Sequence, residues 1–97
     1  MKLIIDLTIS CDEPGNKFTF GTVRRELDTN LVPVAGMEIE DSAWKNPREI
    51  KRVTMNPEEG YYYLWVGDDD GGTKERAFQR VQMYKSHGWQ VLHCSEA

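Results

Sequence analysis

The sequence predicts an α+β domain in which a four-stranded antiparallel sheet carries two helices on one face. Three stretches make the prediction. Residues 2–9 alternate, with Leu3, Ile5, Leu7 and Ile9 on one side and Lys2, Ile4, Asp6 and Thr8 on the other, the period of a strand. Residues 61–66 read Tyr-Tyr-Tyr-Leu-Trp-Val, aromatic and β-branched types that suit a pleated, half-buried surface. Residues 73–87 bring Ala77, Phe78, Val81 and Tyr84 onto one helical stripe.

After the first strand, residues 10–16 concentrate turn formers, including Pro14, Gly15 and Asn16. In residues 18–31, Phe20, Val23, Leu27 and Leu31 recur at intervals of three and four. That spacing favours a helix near 20–29, with Thr19 as N-cap and Pro33 just beyond its end. Phe18 and Phe20 also fit a strand, and Gly21 opposes the helix, so both readings stand there. Residues 30–48 form a long connection with a short extended piece near 37–40. Met37 and Trp44 are expected to tuck against the domain, because a long loop in a small fold is either packed or functional.

Residues 49–55 and 61–66 flank Asn56-Pro57-Glu58-Glu59-Gly60, the composition of a β-hairpin turn. A one-residue slip would reverse every side chain, so the face that Val53 and Met55 join is open at this stage. Residues 67–72 end the strand, Thr73 caps the second helix, Gly88 stops it in a left-handed conformation, and residues 89–94 form the last strand. The order strand, helix, strand, strand, helix, strand is the split βαβ arrangement of ferredoxin-like domains. Its single domain spans 1–97.

In that arrangement the first and third strands are central and one sheet face carries no helix. Tyr62, Leu64 and Val66 suit the helical side. Tyr61, Tyr63 and Trp65 then lie on the open face beside Ile4, Asp6 and Thr8. The last strand would run antiparallel to the first, placing Cys11 and Cys94 at opposite ends of the sheet, too far apart for a disulfide.

Composition limits the function. The chain has 97 residues, 29% of them charged, and a net charge of −4; a partner held mainly by phosphate contacts normally meets a basic excess. No apolar run approaches the roughly 20 residues of a membrane span, and Asp6 interrupts the start before a signal-peptide core could form. A cytoplasmic protein with free thiols is expected.

Glu59-Gly60-Tyr61-Tyr62-Tyr63-Leu64-Trp65-Val66 resembles the third-strand signature of the RNA-recognition motif at Gly60, Tyr61, Tyr63 and Leu64. The resemblance implies an aromatic sheet face on which bases stack. It departs at Glu59, Tyr62 and Val66, and the first strand supplies no aromatic to the same face, so the likeness reads as a shared solution. Lys45, Arg48, Lys51 and Arg52 cluster near Trp44 in the sequence, as single strands require, but Asp6, Glu58, Glu59 and Asp68 to Asp70 surround the aromatic strand.

The leading expectation is therefore a non-enzymatic protein-interaction module, with a second copy or another protein on the open face. Its candidate binding residues are Tyr61, Tyr63, Trp65, Asp6, Trp44 and Arg52. Single-stranded nucleic acid on the same face is the first alternative. A small-molecule or catalytic pocket around Asp6, its pKa raised by desolvation, is the second. The connection 30–48 could instead fold across the face and turn the aromatics into ordinary core. No cofactor or metal is expected: His87, His93 and Cys94 lack zinc-site spacing, and Asp68-Asp69-Asp70 lacks the alternation of a calcium loop. Those three acids read as an acidic turn leading into the helix.

Overall fold

The computed structural model describes residues 1–95. Its main feature is a long hairpin, β1 (Lys2–Glu13) and β2 (Asn16–Asp28), closed at Pro14 and Gly15, with Gly15 at φ 82°. Short strands β3 (Glu38–Ile39) and β4 (Arg48–Glu49) pair with each other. Then follow β5 (Arg52–Asn56), β6 (Tyr61–Trp65), β7 (Asp69–Asp70), α1 (Lys74–Ser86) and β8 (Gln90–Cys94). The main sheet is six-stranded and mixed, in the order β5-β6-β1-β2-β8, with β7 paired to the far end of β1.

The ferredoxin-like expectation is thereby overturned. Residues 20–28 belong to β2, and a single helix remains. The helical spacing of Phe20, Val23 and Leu27 comes from a register shift opposite Ile9 and Ser10. Before it, Phe18 and Phe20 point to the core; after it, Gly21 and Val23 do, with Leu27 on the same face but exposed. An extra residue shifts the phase of alternation by one, which turns a period of two into an apparent interval of three. Gly21 suits the close approach there, since a Cβ would sit 3.0 Å from both His93 O and Val81 Cγ2.

Inserting β2 between β1 and the last strand also reverses the relation of the sheet's ends. β8 pairs antiparallel with β2, so it runs parallel to β1, and Cys94 lies opposite Gly21 while Cys11 lies opposite Phe18. The two cysteines share one end of the sheet instead of occupying opposite ends. No disulfide joins them; with a strand between them, two spacings of about 4.8 Å exceed the disulfide range.

Other expectations hold. β1 and β6 are neighbours, here parallel. Thr73 caps α1 through Arg76 N at 3.2 Å, and Gly88 stops it at φ 90°. Asn56 and Gly60 close the second hairpin (Gly60 N to Asn56 O, 2.9 Å), and its register pairs Val53 with Leu64 and Met55 with Tyr62, which puts both on the core side. The core is one layer between the sheet and its cover: Leu3, Ile5, Leu7, Ile9, Cys11, Phe20, Val23, Leu64 and Val66 meet Ala77, Val81 and Tyr84 of α1 and Trp89. Phe78, expected on the buried stripe, is 42% exposed. Among the described residues no helix is long and apolar enough to cross a membrane.

The connection 30–48 takes the place of the missing helix as cover for the core. Ile39, Ala43 and Trp44 pack against the core cluster, and Ile50 is buried within it. Two polar nodes fix this. Asp41 accepts from Trp89 Nε1 at 3.0 Å and Ala43 N at 2.9 Å and lies 3.3 Å from Arg25 Nε. Trp44 Nε1 donates to Tyr84 Oη at 3.0 Å, and Tyr84 donates to Asp69 Oδ2 at 2.5 Å.

Candidate interaction surface

With α1 and the connection on one side, the opposite face of the sheet is defined by register. Asn56, Tyr61, Lys2 and Asp28 form one row across the strands; Thr54, Tyr63, Ile4 and Glu26 form the next. Arg52 and Trp65 pair on β5 and β6, and Asp6 and Arg24 pair on β1 and β2 in the adjoining level. Alternation makes these side chains share one face, while Tyr62 and Leu64 turn to the core. Leu64 is fully buried and Tyr62 packs against the core, whereas Trp65 is 41% exposed.

The centre of the face is a hydrogen-bonded triad. Arg24 grips Asp6 through two parallel bonds, Nε to Oδ1 at 2.6 Å and Nη2 to Oδ2 at 2.8 Å, and Tyr63 Oη donates to Oδ2 at 2.6 Å. Burial works to raise the Asp6 pKa, but the bonds from Arg24 and Tyr63 and the Arg24 charge overcome it and hold the carboxyl below its usual value. Burial and the hydrogen bond to Asp6 push the Tyr63 hydroxyl up to about 12, so it stays a donor at neutral pH. Asp6 and Arg24 are therefore an ionised pair, with neutral Tyr63 bonded to it. At the rim, the Lys51 ammonium stands 5.6 Å from the Trp65 ring centre, and Tyr61 Oη accepts from Asn56 Nδ2 at 3.3 Å.

The lowered pKa fixes a pH dependence. Asp6 binds its proton more weakly in the folded chain than in the unfolded one, so its contribution is present above the unfolded value and is lost as pH falls through the folded pKa. Tyr63→Phe removes one of the bonds that lower it. Urea unfolding is expected to show a deficit of about 1 kcal/mol at pH 7, narrowing at pH 3. An equal deficit at both pH values would contradict the coupling.

Of the expected site residues, Tyr61, Tyr63, Trp65, Asp6 and Arg52 come together on this face. Trp44 does not: it lies on the α1 side with Arg48 stacked on it, 4.7 Å from the ring centre. The basic cluster is divided in the same way, Lys51 and Arg52 beside Trp65, Lys45 and Arg48 facing α1. Arg24 was missed because its segment read as helix. Its signal lay in the alternation Thr22, Arg24, Glu26, Asp28, which mirrors that of β1. Asp69 was also missed: Arg48 Nη2 at 2.7 Å, Arg80 Nη1 at 3.3 Å and Tyr84 converge on its buried carboxylate.

Comparison with protein-family models, curated proteins and solved structures finds no match to the chain.

Proposed function

We propose that the protein is a cytoplasmic, non-enzymatic interaction module that self-associates through the open sheet face. The observation that carries this reading is the position of the 30–48 connection. It packs beside α1, and Trp65 stays exposed on the far side of the sheet among Tyr61, Tyr63 and Arg52. An aromatic centre with a rim of mixed charge is the anatomy of a protein interface.

The rows favour a second copy. Consider two sheets packed face to face about a twofold axis that crosses the strands at the Tyr63–Ile4 row. Trp65 then meets Tyr61 of the second copy, and the Asp6–Arg24 pair meets the second copy's Lys2 and Asp28. Opposite charges oppose, and the aromatics stack offset. Nucleic acid is less well served, because Asp6, Glu26 and Asp28 balance Lys2, Arg24 and Arg52 on this face. A catalytic pocket around Asp6 loses its premise, because the pKa is lowered and not raised and the carboxylate is already committed to Arg24 and Tyr63.

Size exclusion with light scattering tests the reading. The wild type is expected at about twice the chain mass of 11.2 kDa. Trp65→Glu, at an exposed site, is expected to run as a folded monomer, because the dimer would have to desolvate a carboxylate against Tyr61 of the second copy. A monomeric wild type at all concentrations, or a Trp65→Glu protein that remains dimeric, would contradict it. Tryptophan fluorescence that responds to oligonucleotides in a salt-dependent way would favour the nucleic-acid alternative.

A further inference from the structure

A second feature stands on the opposite side of the molecule. Between residues 43–48 and α1 runs a groove of about 1120 Å³. Lys45 and Arg48 line one wall, Arg76 and Arg80 the other, and Gly71 and Gly72 close the end nearest the start of the helix. Arg76 and Arg80 are four apart on α1 and so share a face. In a chain of net charge −4, four cations on one groove are a local inversion of sign.

Two carboxylates lie nearby, fewer than the four cations, and offset only part of their charge. Asp69 lies beneath the groove, its side chain 5% exposed, and is shared by Arg48, Arg80 and Tyr84. Asp70, which also lines the groove, is paired with Lys17 at 4.0 Å and accepts from Gly72 N at 3.0 Å. The side chains of Lys45 and Arg76 have no hydrogen-bond or ion-pair partner among the described residues. Arg48 is held at two points, by Asp69 at 2.7 Å and by the Trp44 ring at 4.7 Å. That leaves most of its guanidinium donors unused in a fixed orientation.

We propose that this groove binds a phosphate-bearing ligand, with Arg48 and Arg80 as pre-positioned guanidinium donors and Arg76 and Lys45 completing its charge neutralisation. Guanidinium groups match phosphate oxygens bidentately. Pinning two of them on one buried carboxylate removes ordering cost from binding. The spread of four cations over a groove of this volume suits more than one phosphate group, as in a pyrophosphate or a nucleoside diphosphate.

Isothermal calorimetry of the full chain with inorganic pyrophosphate tests this. Saturable binding is expected that weakens as salt rises, and at least about tenfold in Lys45→Ala/Arg76→Ala, the loss of roughly one charged hydrogen bond. Neither side chain has a structural partner, so the variant is expected to keep the wild-type melting temperature. A nucleoside diphosphate as a second arm separates a nucleotide ligand, which binds more tightly than pyrophosphate, from a bare phosphate, which does not. The proposal is overturned by the absence of saturable binding, by equal binding to wild type and variant, or by citrate binding as tightly as pyrophosphate.

Discussion

Asp69→Ala is expected to lower the free energy of unfolding by about 3–5 kcal/mol, the range for breaking a buried ion pair by removing one partner. Asp69 sits on the short strand β7, and its carboxylate ties that strand to two other parts of the fold: α1, through Tyr84 at 2.5 Å and Arg80 at 3.3 Å, and the connection, through Arg48 at 2.7 Å. Deleting it leaves the Arg48 guanidinium beside Trp44 without its counter-charge and the Tyr84 hydroxyl without its acceptor. Tyr84→Phe is expected to cost less, about 1–3 kcal/mol, because the charges survive and the main loss is the acceptor of Trp44 Nε1. Urea unfolding of both variants checks the order. A Tyr84→Phe effect equal to that of Asp69→Ala would place the energy in the hydroxyl and not in the ion pair.

Gly71→Ala is expected to destabilise by about 1–3 kcal/mol, the cost of forcing extra volume into a packed site. A Cβ at residue 71 would lie 2.7 Å from Ala77 Cβ, 2.8 Å from Ala77 Cα and 2.8 Å from Ser10 O. Two of these belong to backbone and cannot swing aside. Either the first turn of α1 lifts from the sheet or β7 separates from β1, which would stretch the 2.7 Å bond from Gly71 N to Ser10 O and the 2.7 Å bond from Asp12 N to Gly72 O. Thermal unfolding measures the loss. Slowed or unchanged amide exchange at residue 71 in the variant would contradict this mechanism, because the bond from that amide is the one under strain.

What the sequence revealed and what it hid have distinct physical origins. Alternation is visible when one face is buried and the register is regular, so residues 2–9 and 61–66 were legible down to the face that each side chain takes. β2 was hidden because its register shift moves the buried positions from even to odd numbers between Phe20 and Gly21, so two strand halves imitate one helical stripe. That single misreading also displaced the cysteines, because an added strand reverses the direction of β8 relative to β1. On the candidate face, Tyr61, Tyr63, Trp65, Asp6 and Arg52 were legible, while Arg24, which holds Asp6, disappeared with the misread strand. Trp44 was misassigned because only tertiary contacts, to Tyr84 and Trp89, decide on which side a long connection lies. Asp69 looked like its neighbours in an acidic turn. Pairing of β7 with β1 is what separates it from Asp68, which accepts from Thr8 N, and from Asp70, which pairs with Lys17.

The open sheet face as a self-association surface is tested most directly by isotope-filtered nuclear Overhauser measurements on a mixture of labelled and unlabelled chains. Contacts between the Trp65 ring of one copy and the Tyr61 ring of the other are expected, with Tyr63 close to its own symmetry mate. Intermolecular contacts confined to α1 or to residues 43–48, or none in a sample that scatters as a dimer, would contradict it.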